Sequence, residues 1–218
     1  MHKTVTNLIQ IQKEIHSKNT DFKVAPKIIA VSKTFLMQDI LPLIDYGHQD
    51  FGENKVQEAI DKWTEIKVNK SNLNLHMIGK LQTNKVKFAV KIFDYIHSLD
   101  SIKLASKISE EQKKIKRNIK IFIQINIGRE KQKSGIILED LKNFYHMCKN
   151  DLDLNIIGLM CLPPNNVDPS KYFEQMKNAS SELGLNHLSI GMSSDYLKAL
   201  KFNASFLRIG SKIFGKRS

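Results

Sequence analysis

Eight short apolar segments recur along this chain, and helical patterns separate them. The segment 28–32 is a short apolar run rich in β-branched residues, and 119–127 is the clearest of the eight. Runs of this length favour the buried strands of a parallel sheet. The predicted ranges of the eight segments are 28–32, 49–52, 73–78, 93–97, 119–127, 155–160, 188–190 and 205–209. Eight strands that alternate with helices are typical of an α/β protein with a single (β/α)8 TIM barrel. A doubly wound open sheet is the alternative fold, which the even spacing of the segments disfavours.

The two ends of the chain depart from the plain barrel pattern. Residues 1–18 carry Val5, Leu8, Ile9 and Ile15 at helical spacing, so we predict an amphipathic helix before the first strand. After the last predicted strand, residues 210–218 are too few for a full closing helix. We expect the N-terminal helix to take the vacant place on the outside of the barrel, within one domain that spans residues 1–218.

The formal net charge of +12 raises the question of a nucleic-acid partner. We expect none, because the lysines are spread through every segment and the chain has no zinc-finger spacing, RNP-like aromatic pattern or repeat. We also expect no membrane association, because no run approaches the ~20 apolar residues of a membrane span and the N-terminus lacks the apolar block of a signal peptide. Cys148 and Cys161 lie in or beside apolar segments without motif spacing. We therefore predict free, buried thiols in a reducing cytoplasm.

The first predicted strand runs into a lysine, Lys33, where the strand should open into a loop. An unpaired ammonium in a dry interior costs several kcal/mol or loses its proton. The carboxyl ends of barrel strands are where chemistry gathers, and a desolvated lysine is an amine that attacks carbonyl groups. A lysine that reaches from the strand end into water is the other interpretation. The strand alone leaves both interpretations open.

Two turns rich in glycine and serine follow the last two predicted strands, at 191–194 and 210–211. Barrels commonly bind phosphate at these loops through backbone N–H groups, although each turn could also cap a helix. Together with Lys33 they favour a phosphorylated carbonyl ligand, and pyridoxal phosphate has that shape. Arg208 lies inside the last strand, where its charge needs a partner such as Glu53 or the ring nitrogen of a bound pyridine.

Several motifs, in order along the chain, resemble the pyridoxal phosphate homeostasis family, the YggS-like group related to the human proline synthetase co-transcribed homologue. They are AVSKT (30–34), FGENKVQE (51–58), HMIGKLQTNK (76–85), QIN (124–126), KSG (133–135), GLM (158–160), SIGMSSD (189–195) and RIGSKIFG (208–215). The likeness runs from about residue 27 to residue 215, whereas residues 1–26 match loosely. The resemblance implies one barrel like the N-terminal domain of alanine racemase, with pyridoxal phosphate as its cofactor and no established catalysis.

Carried over by position, the resemblance implies one covalent lysine and six further cofactor-binding residues. These are Lys33 for the internal aldimine, Ser193, Gly210 and Ser211 for the phosphate, Arg208 for the pyridine nitrogen, and Asn54 and Met192 for the lining of the pocket. Ser211 departs from the threonine that many family members have there. Either hydroxyl can bond phosphate, so the departure leaves the expected role intact.

Three hypotheses about the function of this protein follow from the sequence. The resemblance implies a cytoplasmic protein that stores, buffers or delivers pyridoxal phosphate and so takes part in vitamin B6 homeostasis. The alternative is a pyridoxal phosphate-dependent enzyme such as an amino-acid racemase, but those enzymes add a β-rich domain with a tyrosine, and we expect no such domain after residue 218. A third hypothesis, a Schiff-base aldolase without a cofactor, would use Glu53 beside Lys33. We expect a monomer whose candidate partners are pyridoxal phosphate, apoenzymes that use it, and amino acids.

Overall fold

A computed structural model of the protein describes residues 1–18 and 25–215. Within these ranges, eight parallel strands pair in sequence order and close into a barrel through contacts of the first strand with the last. The strands are β1 (Lys27–Val31), β2 (Asp50–Glu53), β3 (Asn74–Met77), β4 (Tyr95–Leu99), β5 (Lys120–Ile125), β6 (Ile156–Cys161), β7 (His187–Met192) and β8 (Phe206–Ile209). The predicted barrel is confirmed, and the open sheet is wrong.

Helices cover the outside of the barrel. They are α1 (Lys3–Lys18), α2 (Met37–Asp45), α3 (Val56–Asn69), α4 (Val86–Ile92), α5 (Ile102–Lys114), α6 (Leu141–His146), α7 (Ser170–Glu182), α8 (Tyr196–Ala199) and α9 (Ser211–Phe214). The observed ends differ from the predicted ones by a few residues. For example, β5 ends at Ile125 and not at residue 127. The side-chain amide of Asn126 donates hydrogen bonds to the carbonyl oxygens of Glu130 and Lys133, so the loop begins at this residue.

The N-terminal helix occupies the place that the sequence left vacant. The closing helix α9 is a single turn, and α1 packs against α9, α2 and α8. Asn7 donates a hydrogen bond to the carbonyl oxygen of Ile213 (2.9 Å), and Tyr196 donates one to the carboxylate of Glu14. The apolar side chains that α1 buries are Val5, Leu8, Ile11 and Ile15. Burial of this apolar stripe holds α1 on the barrel.

Alternation along the strands divides the apolar side chains between two layers. Those that face outward pack beneath the helices, as where Phe51 meets Trp63 with ring centroids 4.9 Å apart. Those that face the barrel axis form a smaller cluster of Ile29, Tyr95, Phe122, Met160 and Phe206. Because alternate residues of a strand share a face, Ile29 at the axis indicates that Lys33 lies on the axis side of the barrel and Ser32 on the helix side.

Two further expectations concern membranes and thiols. Among residues 1–18 and 25–215, no helix has the length and apolar character needed to cross a membrane. Both cysteines are free and buried, as predicted. Burial raises the pKa of the Cys148 thiol and of the Cys161 thiol to about 12, so both are inert at neutral pH.

Candidate functional site

Four neighbouring strands of the barrel carry the predicted site residues at their carboxyl ends. The strands are adjacent in the order β2, β1, β8 and β7. The residues are Asn54 after β2, Lys33 after β1, Arg208, Gly210 and Ser211 in and after β8, and Met192 and Ser193 at the end of β7. The structure therefore places all seven predicted residues at one end of the barrel, on one side of its opening.

The backbone on both sides of Lys33 is fixed by side chains of α3. Before Lys33, the carbonyl oxygen of Ser32 accepts a hydrogen bond from Lys62 Nζ (3.1 Å). After it, the N–H of Thr34 donates to Glu58 Oε1 (2.7 Å). Thr34 has a φ of 68°, which is a conformational outlier for a β-branched residue and must be held by its surroundings. We call these contacts from Lys62 and Glu58 the α3 clamp.

Glu53 is buried under α3 and does not meet Arg208. Neighbouring residues of β2 face opposite sides of the sheet, and Gly52 faces Ile29 at the barrel axis, so Glu53 points to the helices. Its Oε1 accepts hydrogen bonds from Ser32 Oγ (2.7 Å), Trp63 Nε1 (3.0 Å) and Lys62 Nζ (3.1 Å). Of the two partners that the sequence left open for Arg208, Glu53 is therefore wrong, and the aldolase hypothesis loses the acid on which it depended.

Arg208 is a buried cation, with 4% of its surface exposed. Its Nη2 donates to the carbonyl oxygen of Cys161 (2.8 Å), and its Nη1 donates to Ser189 Oγ (2.6 Å) and to the Ser189 carbonyl oxygen. Burial lowers the guanidinium pKa, but arginine stays charged at neutral pH. In the described part of the chain it forms no salt bridge, so a ligand atom that accepts a hydrogen bond would suit it.

Ser193 links the turn after β7 to the turn after β8. Its Oγ accepts hydrogen bonds from the backbone N–H groups of Gly210 (3.2 Å) and Lys212 (3.4 Å). The first turn is held separately, because the N–H of Met192 donates to Asp195 Oδ1 (2.6 Å). The Ser193 hydroxyl thus accepts from both N–H groups, and its own O–H, which has no acceptor among the described residues, remains available as a donor to an anion.

Asn54 does not cap the helix behind it. The residue that precedes α3 is Lys55, whose own side chain makes no capping hydrogen bond. The Asn54 Oδ1 atom is buried and has no hydrogen-bond partner among the described residues. Gly79 lies so close that a Cβ there would sit 2.5 Å from the Asn54 carbonyl oxygen. An unpaired buried acceptor at the edge of the opening is a position that a ligand donor could satisfy.

The barrel interior beneath these residues contains two histidines, His76 and His97. His76 and His97 are both fully buried, and their rings hydrogen-bond to each other (3.0 Å). In the sequence, each of these histidines stands within a predicted strand, and that position is the signal that could have indicated a polar barrel interior. The α3 clamp was also missed, although Glu58 and Lys62 stand four residues apart on one helix face. The described residues contain no group of three or more metal-ligating side chains.

Comparisons with known proteins agree with this architecture. The profile of the family described as alanine racemase, N-terminal domain, matches residues 7–218. A pyridoxal phosphate homeostasis protein of Pasteurella multocida is 34% identical over 97% of this chain and 96% of its own length. The PipY structure of Synechococcus elongatus with bound pyridoxal phosphate is 30% identical, has a TM-score of 0.86, and aligns with 97% of this chain and 100% of its own.

Alanine racemase of Clostridium difficile shares the fold at a greater distance. It is 15% identical, with a TM-score of 0.76, and the alignment covers 99% of this chain but 57% of the racemase. The curated relatives take their name from pyridoxal phosphate homeostasis and not from a catalysed reaction. The match extends over nearly the whole sequence and the whole barrel, so the resemblance seen in the motifs is confirmed. The chain belongs to the alanine racemase N-terminal domain family, alongside the pyridoxal phosphate homeostasis proteins.

Proposed function

We propose that this protein binds pyridoxal 5'-phosphate through Lys33 and serves vitamin B6 homeostasis in the cell as a cofactor-binding protein. The observation that carries the proposal is the meeting of an amine, a buried guanidinium and a group of N–H and O–H donors at the carboxyl ends of four adjacent strands. The relatives named for pyridoxal phosphate homeostasis, and PipY with that cofactor bound, support the same ligand.

The residues at this end of the barrel fit the three reactive parts of the cofactor. An aldehyde needs an amine, which Lys33 would supply as a Schiff base with loss of water. A phosphate needs several donors, which the Ser193 and Ser211 hydroxyls and the Gly210 N–H would supply. A pyridine nitrogen needs one partner, which Arg208 would be. Asn54 and Met192, both partly buried, would line the pocket around the ring.

The α3 clamp would help Lys33 to hold the cofactor. A lysine side chain is flexible, and its amine reaches a fixed point only if the backbone that carries it is fixed. Lys62 and Glu58 fix that backbone on the two sides of Lys33. The amine would therefore stay at a constant distance from the phosphate donors and from Arg208, and binding would cost less conformational freedom.

Arg208 favours storage of the cofactor over turnover. Opposite a permanently charged guanidinium, the ring nitrogen is better left unprotonated and accepting a hydrogen bond. Such a ring withdraws electrons weakly, so carbanionic character on a bound amino acid would gain little stabilisation. Racemisation also needs a base on each face of the substrate, and Lys33 would supply one face only.

The tyrosines do not supply the second base. Tyr95 opens β4 at the amino end of the barrel, where its hydroxyl meets Lys120 Nζ (3.1 Å). Tyr196 is directed to Glu14 of α1. The other three lie on or directly after outer helices, namely Tyr46, Tyr145 and Tyr172. A binding function therefore agrees better with the structure than a racemase does.

Reduction with borohydride tests the covalent role of Lys33. Purified protein loaded with pyridoxal phosphate should give one stable adduct on the peptide that contains Lys33. The Lys33→Ala variant should remain folded and lose the chromophore. Lys80→Ala and Lys212→Ala are control variants at the same end of the barrel and should keep it. An adduct on Lys80 or Lys212 in the wild-type protein would contradict the assignment.

Serine substitutions test the phosphate site. Ser193→Ala and Ser211→Ala should each weaken binding of pyridoxal phosphate by about tenfold or more, since a hydrogen bond to a charged group is lost. Ser194→Ala is the matched control, because Ser194 is an exposed serine in the same turn. Binding of pyridoxal without its phosphate should be insensitive to all three changes. Equal affinity of the wild-type protein for both ligands would show that the two turns do not bind phosphate.

Exchange of the α-hydrogen of alanine in deuterated water tests the alternative enzyme function. We expect slow exchange or none with loaded protein at high concentration. Exchange at rates typical of enzymes, ~1–1000 per second, would make the protein a catalyst.

A further inference from the structure

A continuous line of buried polar groups crosses the barrel interior from β8 to β2. The links are Arg208 Nη1 to Ser189 Oγ (2.6 Å), Ser189 Oγ to His97 Nδ1 (2.9 Å), His97 Nε2 to His76 Nδ1 (3.0 Å), and His76 Nε2 to Asp50 Oδ1 (3.0 Å). All five residues are buried, and we call this line the Arg208–Asp50 chain. It begins at the candidate cofactor site and ends at the amino end of β2.

The two ends of the Arg208–Asp50 chain fix the direction of its first and last hydrogen bonds. A guanidinium only donates, and an ionised carboxylate only accepts. Burial alone would raise the pKa of Asp50, but its contacts with His76 and Lys27 outweigh burial and lower that pKa, so Asp50 is ionised at neutral pH. His76 must therefore donate from Nε2 to the Asp50 carboxylate.

The remaining protons follow from the neutral state of both rings. Burial lowers the pKa of His76, and burial together with the nearby charge of Arg208 lowers the pKa of His97 still further, so both rings are neutral at neutral pH. A neutral His76 that donates from Nε2 must accept at Nδ1, so His97 donates from its own Nε2. His97 then accepts at Nδ1 from the Ser189 hydroxyl, which in turn accepts from Arg208. The reverse arrangement would require a protonated Asp50.

We propose that Ser189, His97, His76 and Asp50 are positioning residues for Arg208, which hold its guanidinium at the floor of the cofactor site through a one-way series of hydrogen bonds. Every donor in the series points away from Arg208, so each acceptor lone pair is turned toward the cation and the bonds polarise one another. This arrangement stabilises a buried charge that has no carboxylate beside it in the described residues. The proposal rests on the proposed function, in which Arg208 faces the ring nitrogen of pyridoxal phosphate.

The proton positions can be measured without any cofactor. Long-range proton–nitrogen NMR spectra of histidine-labelled, ligand-free protein at pH 7.5 should show His76 and His97 as neutral rings with the proton on Nε2. Replacement of each histidine by glutamine in turn assigns the two signals. A proton on Nδ1 of either ring, or an imidazolium, would overturn the proposal. This measurement stands whether or not the protein proves to bind pyridoxal phosphate.

The Ser189→Ala variant breaks the chain next to Arg208 and leaves the two carbonyl contacts of the guanidinium in place. We expect its affinity for pyridoxal phosphate to fall by about tenfold. The nitrogen-15 resonance of the ring nitrogen in the bound, labelled cofactor should move toward the value of a protonated pyridine. Ser180→Ala is the matched control, because Ser180 is also buried and bonds one backbone carbonyl, that of Leu185 (2.9 Å), but lies in α7. The control should change the affinity less than twofold and leave the resonance in place.

The proposed function and the positioning role of the Arg208–Asp50 chain can fail separately. A wild-type protein that does not retain pyridoxal phosphate overturns the proposed function, and the ligand-free spectra still decide the direction of the chain. A wild-type protein that binds the cofactor, with Ser189→Ala equal to Ser180→Ala in affinity and resonance, overturns the positioning role alone.

Discussion

Replacing Lys62 by methionine measures how much the α3 clamp contributes to stability. The Lys62 Nζ atom lies 3.0–3.1 Å from three acceptors, which are the Ser32 carbonyl oxygen, Glu53 Oε1 and Glu58 Oε1. The Lys62 side chain is 12% exposed, and the Glu53 side chain is 0% exposed. Methionine fills similar space without the charge, so the change leaves the buried carboxylate of Glu53 without its cation.

Removal of one partner of a buried ion pair typically costs about 3–5 kcal/mol, because the remaining charge is buried and uncompensated. In a protein of this size each kcal/mol lowers the melting temperature by about 2–4 °C, so we expect a fall of roughly 6–20 °C. Urea and thermal unfolding, followed by circular dichroism, give both quantities. The control is Lys107→Met, which removes the surface ion pairs of Lys107 with Glu110 and Glu111 and should lower the melting temperature much less than Lys62→Met does.

A second change separates charge from packing. Glutamine at position 53 still accepts hydrogen bonds from Trp63 and Ser32 but carries no charge. The double variant Lys62→Met with Glu53→Gln should therefore be more stable than Lys62→Met alone. Lys62→Met within about 1 kcal/mol of the wild-type protein, or a double variant less stable than the single one, would refute the reasoning.

Three further predictions concern the interior. His76 and His97 have lowered pKa values in the folded protein, so the unfolded chain binds more protons below pH 6.5. As the pH is lowered from 6.5, the free energy of unfolding should therefore decrease by about 1.4 kcal/mol per pH unit for each of the two residues. His97→Phe should remove one such contribution, and an unchanged pH slope would contradict this. Both cysteines should resist a thiol reagent until urea unfolds the protein, whereas rapid labelling of the native state would contradict their burial. Gly158→Ala, whose Cβ would lie 2.0 Å from the His187 carbonyl oxygen, should cost about 1–3 kcal/mol or more, while Gly210→Ala, with 3.4 Å to its nearest neighbour, should fold normally; equal stability would contradict the contact.

The sequence by itself determined the architecture. Strands such as β1 and β5 were visible because a short apolar run rich in β-branched residues is a local signal that needs no knowledge of its neighbours. The eightfold alternation of strands and helices is then compatible with few folds. The candidate role of Lys33 also rested on a local signal, since a charged lysine directly follows the apolar strand 28–32. The motifs that pointed to the family are likewise short stretches of neighbouring residues.

The tertiary structure alone decided which side chains meet. Glu53 stands near the end of its strand in the sequence, but the strand's alternation directs it to α3, where Lys62 and Trp63 surround it. His97 and Ser189 are 92 residues apart, and only the closed barrel brings them to 2.9 Å. Such contacts depend on the register between strands and on the order in which the barrel closes. Hydrophobic periodicity reports which face of a strand is buried, but it carries no information about the partner across the barrel, and for that reason the chain of polar groups behind Arg208 could not be read from the sequence.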